Sequence, residues 1–153
     1  MIIAIINGPN MKLMGKREPE HYGTKTWNDI EKELLILSKE INCDLLFFHS
    51  NHEGRIIDFI QEHLEVLDGI IINPAGYSKT GYGILDAMNA IQIPFIEVHL
   101  SNIFSRGVQH RETIFQQDAV GNIIGLRGDV YLLGLRGMVN YLNERSESDA
   151  LKK

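Results

Sequence analysis

Glu97 and His99 stand two residues apart in the apolar run Phe95–Leu100, so on a strand both side chains leave the same face. A carboxylate beside an imidazole favours the charged ring and fixes its tautomer, which suits a proton donor working near neutral pH. The same pair would also serve as a purely structural hydrogen bond, and spacing alone leaves both readings open. Leu100-Ser101-Asn102 follows directly. Its successive amides and the Ser101 hydroxyl offer a cradle for a carboxylate or phosphate, although serine and asparagine at a strand end also simply make turns. A second chemical group lies upstream, in Arg17-Glu18-Pro19-Glu20-His21-Tyr22-Gly23. A phenol ordinarily titrates near pH 10, and bringing one to neutrality takes roughly 4 kcal/mol, mostly from nearby positive charge. Arg17 and Arg106 are the candidate sources of that charge. The competing reading makes Tyr22 a packing residue and Arg17 a solvated one.

These groups must be positioned by a scaffold, and its elements are legible. Five short apolar runs, Ile2–Ile6, Leu45–Phe48, Ile70–Ile72, Phe95–Leu100 and Ile123–Leu126, are each followed by turn residues. Most are unbroken and rich in Ile or Val, as strands buried on both faces of a parallel sheet require. Between them, Trp27, Ile30, Leu34, Leu37 and Ile41 mark one face of a helix, with Thr26 as its cap and Asp29 three residues on. Ser50-Asn51-His52-Glu53 reads as a capping box for a helix that turns Ile56, Ile57, Ile60 and Leu64 inward. A helix over about 83–92 presents Leu85, Met88 and Ile91, and a last one from Tyr131 to Asn143 presents Leu132, Leu135, Val139 and Leu142. This order predicts an α/β fold, a flavodoxin-like open doubly wound five-stranded parallel sheet with helices on both faces. Residues 1–143 form its single domain. The charged stretch 144–153 has no apolar period and is expected to fray as a disordered tail. Gly125-Leu126-Arg127-Gly128 echoes Gly134-Leu135-Arg136-Gly137 once only, which is not a solenoid repeat.

In such folds ligands sit beyond the carboxyl ends of the strands. There the chain delivers Asn7-Gly8-Pro9-Asn10 and a long loop to Gly23, then His49-Ser50-Asn51-His52, Asn73-Pro74-Ala75-Gly76-Tyr77, and finally Glu97 through Asn102. A loop of that length is more readily a lid than a connector. Together the set describes a site for a small polar ligand. His49, His52 and Glu53 lack the spacing of a zinc helix, so no metal is expected. No glycine-rich nucleotide motif and no serine-hydrolase elbow appears.

Composition narrows the classes further. The 153 residues are 44% hydrophobic, 23% charged and 8% aromatic, with a formal charge of −5. That excludes an intrinsically disordered or collagen-like chain, and the acidic balance argues against nucleic acid as partner. Cys43 is the single cysteine, so no internal disulfide forms. No apolar run approaches the ~18 residues of a membrane span, and a cytoplasmic location without membrane contact is expected.

Asn7-Gly8-Pro9-Asn10, Arg17-Glu18-Pro19 with Tyr22-Gly23, Ser50-Asn51-His52-Glu53-Gly54, Asn73-Pro74-Ala75-Gly76-Tyr77 and Ile96-Glu97-Val98-His99-Leu100-Ser101-Asn102 resemble the blocks of the type II 3-dehydroquinate dehydratases, in order and spacing, over about residues 2–143. The resemblance implies a flavodoxin-like lyase that uses neither metal nor organic cofactor. It implies anti dehydration of 3-dehydroquinate to 3-dehydroshikimate through an enolate, within aromatic amino acid biosynthesis by the shikimate pathway. It implies a homo-oligomer of trimers, up to a dodecamer, and a small-molecule carboxylate substrate. By position, Tyr22 would be the base and Arg17 its activator. His99, held by Glu97, would protonate the departing hydroxyl. Asn10 would place the water that stabilises the enolate. Asn73 would contact substrate near the leaving group, and the Leu100 and Ser101 amides with the Ser101 hydroxyl would bind the carboxylate. Asp86 would reach a neighbouring subunit's site, and Arg106 would add positive potential near the base.

The departures from the family pattern are concentrated. Ser78-Lys79-Thr80-Gly81 puts Lys79 where the family has a ring-contacting histidine and Gly81 where it has serine. Arg106-Gly107-Val108-Gln109-His110-Arg111 puts His110 in place of a hydroxyl-binding arginine, with Arg111 one residue on as its substitute. The proton-transfer set is thus intact while the hydroxyl-recognition set is changed. Three outcomes fit this pattern: turnover of dehydroquinate with altered affinity, elimination on a related cyclic β-hydroxy ketone acid, and carboxylate binding without catalysis.

Overall fold

The computed structural model describes residues 1–16, 19–107 and 112–151. Strands β1 (Ile2–Asn7), β2 (Asp44–His49), β3 (Gly69–Asn73), β4 (Phe95–His99) and β5 (Gly121–Ile124) pair in parallel in the order β2-β1-β3-β4-β5. Helices α1 (Pro19–Tyr22), α2 (Trp27–Glu40), α3 (Glu53–Glu62), α4 (Tyr82–Ile91) and α5 (Asp129–Ala150) make the connections and cover both faces. This is the flavodoxin-like order expected from the sequence.

Strand alternation divides the apolar residues between two cores. Ile3, Ile5, Ile71, Ile96 and Val98 face α2 and α5, while Ala4, Ile6, Ile70, Ile72 and Phe95 face α3 and α4. The central strands β1 and β3 are covered on both faces, so their runs Ile2–Ile6 and Ile70–Ile72 are apolar at every position. Cys43 is buried, and its desolvation pushes the thiol pKa up, as befits a small core residue. Among the described residues, no helix is long and apolar enough to cross a membrane.

The caps show where local and tertiary demands diverge. Thr26 closes a complete capping box on α2: its Oγ1 accepts from the Asp29 amide at 3.3 Å, and its own amide donates to Asp29 Oδ2 at 2.9 Å. The capping box expected at Ser50 does not form. Ser50 Oγ instead accepts from the His52 amide at 2.9 Å, a serine turn that keeps His52 extended, and α3 begins only at Glu53. The Glu53 carboxylate is thereby freed for another helix and accepts from the Gly83 amide in the first turn of α4 at 3.2 Å. A carboxylate suits that positive helix end.

Three further boundaries differ from expectation. Helix α3 buries Ile56, Phe59 and Ile60, whereas Leu64 lies past its end and is exposed. Phe59 takes the place by stacking on Phe48 of β2 at 4.3 Å between ring centroids. Helix α4 buries Ile84, Ala87 and Met88, so only Met88 of the expected stripe is fully covered. Strand β5 begins two residues before Ile123 and stops at Ile124, because Gly125, Leu126 and Arg127 all adopt left-handed backbone and turn the chain into α5. Helix α5 does not end at Asn143 but continues to Ala150. The hydroxyls of Ser146 and Ser148 donate to the Leu142 and Glu144 carbonyls there, and these last turns are exposed.

Candidate active site

Parallel register brings the carboxyl ends of the central strands level. Asn7 pairs with both His49 and Asn73, and Ile72 pairs with Glu97, so β1, β3 and β4 finish side by side. Gly8 leaves β1 against the Pro74 carbonyl, so close that a Cβ would collide with backbone, and its amide donates to Asn73 O at 2.8 Å. Only glycine allows that approach. Above these ends lies a cavity of about 430 Å³, the scale of a small-molecule site.

The cavity has a buried polar floor. Glu97 is 1% exposed and His99 6% exposed, and alternation along β4 turns both the same way. His99 Nε2 lies 2.8 Å from Glu97 Oε1, which leaves Nδ1 as the ring nitrogen free to meet a ligand. Glu97 Oε2 accepts from the Thr113 hydroxyl at 2.7 Å, so both carboxylate oxygens are engaged. Beside this group, the Tyr131 hydroxyl donates to Asn7 Oδ1 at 2.6 Å and accepts from Asn73 Nδ2 at 3.1 Å. Asn73 Oδ1 in turn accepts from the Ala75 amide at 3.1 Å. Tyr131 is wholly enclosed, and desolvation drives its pKa far above the ordinary phenol value, so it remains a neutral donor. Asn7 Nδ2 is buried without a hydrogen-bond partner among the described residues.

The rim is built from loops. Asn10 sits in left-handed backbone at φ 69° and its amide donates to Asn51 Oδ1 at 2.9 Å. Met11, Leu13 and Met14 make an apolar wall on that side. Tyr22, at the end of α1, reaches the same cavity while packing partly on the α2–α5 core. Gly23 follows it with φ 81° and lies against the methylene stem of Arg127. Ser78 and Lys79 enter from the turn after β3, and Leu100 and Ser101 from the end of β4. Leu100 O accepts from the Arg127 amide at 2.9 Å, which holds the Leu100-Ser101 segment in place.

The structure therefore gathers Asn10, Tyr22, Asn73, Lys79, His99, Leu100 and Ser101 around one cavity, with Glu97 directly behind His99. Asp86 does not line it but sits exposed on α4. Arg17, His110 and Arg111 lie outside the described residues, and of Arg106 only the main chain is described. Sequence reasoning missed Thr113 and Tyr131 as parts of the floor. Tyr131 carries a faint signal, a phenol placed where α5 starts beside the strand ends. Thr113 carries none, standing in an irregular segment without periodicity. His49, at the end of the edge strand, is outside the cavity, and burial lowers its imidazole pKa.

Chemically, the arrangement brings a carboxylate–imidazole pair and a phenol to the same cavity. Amide and hydroxyl groups at Leu100 and Ser101 stand beside the donor. Residues 1–139 match the family model of class II dehydroquinase. The chain is 46% identical over 143 residues to the 3-dehydroquinate dehydratase of Prochlorococcus marinus strain MIT 9301, covering 94% of this chain and 97% of that relative. It is 44% identical over 142 residues to the enzyme of the same name from strain NATL1A, covering 93% and 98%. The crystal structure of the type II dehydroquinase from Butyrivibrio crossotus superposes with a TM-score of 0.86 at 34% identity, over 90% of this chain and 97% of that one.

Proposed function

The chain belongs to the class II dehydroquinase family, and from that premise we propose that its cavity carries out the anti dehydration of 3-dehydroquinate through an enolate, with Tyr22 as base and His99 as acid. The Tyr22 phenolate takes a proton from C2, and the electron pair moves into the C3 carbonyl as an enolate. A water placed by Asn10 stabilises the enolate oxygen. Collapse of the enolate expels the C1 hydroxyl, which His99 protonates so that it leaves as water. The proton taken up by Tyr22 returns to His99 through solvent, which restores both residues, so product and water together account for the atoms of the substrate. The carboxylate is held by the Leu100 and Ser101 amides with the Ser101 hydroxyl, and Asn73 meets the substrate near the leaving group. Arg17 and Arg106 supply the positive charge a phenolate base requires, and Lys79, His110 and Arg111 read the ring hydroxyls.

The observation that carries this reading is the Glu97–His99 pair, buried at the end of β4 and opening onto the cavity that Tyr22 borders. A carboxylate-backed imidazole buried at the base of a cavity is well placed to donate a proton to a ligand there. The reading extends to a homo-oligomer of trimers, up to a dodecamer, with Asp86 of one subunit at a neighbour's site. Its support is that Asp86 and Tyr82 are exposed on α4, Tyr82 at 65%. Light scattering on the eluted protein measures that assembly.

The test is continuous ultraviolet detection of the conjugated enone formed from 3-dehydroquinate. Turnover by the wild type is expected, and Tyr22→Phe should lower kcat by at least ~10³-fold with an unchanged circular dichroism melt. Wild-type turnover in Tyr22→Phe would remove Tyr22 from the role of base. A folded, inactive wild type would direct the search to other cyclic β-hydroxy ketone acids, where Lys79 marks the altered recognition.

A further inference from the structure

We infer that Thr113 is a positioning residue for the proton donor, the third member of a Thr113–Glu97–His99 relay in which its hydroxyl fixes the plane of the Glu97 carboxylate. This inference rests on His99 being the acid of the proposed reaction. Glu97 has two oxygens and two partners: His99 Nε2 on Oε1 at 2.8 Å and Thr113 Oγ1 on Oε2 at 2.7 Å. One partner alone leaves a carboxylate free to rotate about its last torsion, which is broad and roughly two-fold. Two partners on opposite oxygens remove that freedom and hold Oε1 where the imidazole needs it.

The main chain that carries the hydroxyl is itself tied down. The Thr113 amide donates to Gln116 Oε1 at 3.3 Å, and the next amide, of Ile114, donates to Ser78 O at 2.9 Å. Phe115, immediately after, is fully enclosed in the α3–α4 core. Thr113 is 9% exposed and faces the cavity with Ser78 and Lys79, so its strap also ties the donor to the turn that bears Lys79. A hydroxyl meeting a buried carboxylate is a charge-assisted bond, stronger than a neutral one, and its removal leaves an oxygen unpaired away from water. Partners that orient a metal-bound imidazole are worth about 10- to 100-fold, and the same scale is expected where the imidazole donates a proton.

The experiment replaces Thr113 with Val, which keeps the branched shape, and with Ser, which keeps only the hydroxyl. Thr113→Val is expected to lower kcat by about 10- to 100-fold with KM changed less than ~2-fold, and Thr113→Ser to return kcat to within ~3-fold of wild type. In a Glu97→Ala background the Val substitution should cost nothing more, because its effect runs through Glu97. Equal losses in both backgrounds, a change in KM alone, or a Ser variant as poor as Val would overturn the relay. Nitrogen-15 spectra of the His99 ring, assigned by difference against His99→Gln, give a readout that needs no turnover. The Nε2–H signal is expected in wild type and the Ser variant and should broaden or shift in the Val variant. An unchanged His99 ring in Thr113→Val would overturn the inference even where the wild type proved inactive on dehydroquinate.

Discussion

The floor and the rim of the cavity are built on opposite principles. On the floor, Asn7, Asn73, Glu97, His99 and Thr113 are all buried, and each is on a strand end or strapped to one. Glu97 holds both His99 and Thr113, and the Tyr131 hydroxyl joins Asn7 to Asn73, so the donor geometry exists before any ligand arrives. On the rim, Asn10, Tyr22 and Lys79 stand on connecting segments that meet the cavity edge-on, and Lys79 is exposed. Tyr22 therefore reaches the cavity from a short connecting helix and is partly buried, whereas His99 is buried at the end of a central strand.

That comparison can be broken most severely at Glu97. Glu97→Ala removes the counter-charge of His99 and orphans the Thr113 hydroxyl together, and kcat is expected to fall by about 10²- to 10³-fold in the enone assay. A loss below tenfold would mean that the floor is not preorganised for proton donation. A smaller effect is expected one bond further out. Tyr131→Phe deletes the hydroxyl shared by Asn7 and Asn73, and should lower stability in denaturant titration by about 1–3 kcal/mol, with KM raised a few-fold as Asn73 loosens. If stability were unchanged, the buried triad would be incidental to the floor. The smallest effect belongs to the rim. Lys79→Ala should change KM by about 3- to 10-fold and leave the thermal midpoint within a degree or two, since an exposed side chain contributes little to folding.

Much of this architecture is written in local pattern. A parallel strand buried on two faces has to be apolar at every position, which is why Ile70–Ile72 and Ile2–Ile6 stand out in the chain. The two-residue spacing of Glu97 and His99 needs only strand alternation to bring them together, and they do meet. Long-range choices are harder to read. Gly125-Leu126-Arg127-Gly128 and Gly134-Leu135-Arg136-Gly137 are the same tetrapeptide, yet the first is a left-handed turn with Leu126 66% exposed, and the second is helical with Leu135 fully buried. Only the packing around each decides. Glu53 likewise carries a correct signal for a cap, but the helix it serves is α4, a contact that depends on how α3 and α4 lie together. Thr113 meets Glu97 across sixteen residues of chain, with no period to announce it.

Tyr131 makes the folded protein optically distinct from the unfolded one. The enclosed phenol keeps its proton at alkaline pH, whereas in the unfolded chain it ionises near pH 10. The folded state then binds more protons than the unfolded state, so stability is complete below that pH and declines as the pH rises above it. The absorption of this one phenolate, among the five tyrosines of the chain, enters only when the structure opens. An alkaline jump followed at the phenolate band thus times the opening of the site floor, with a chromophore already placed at its centre.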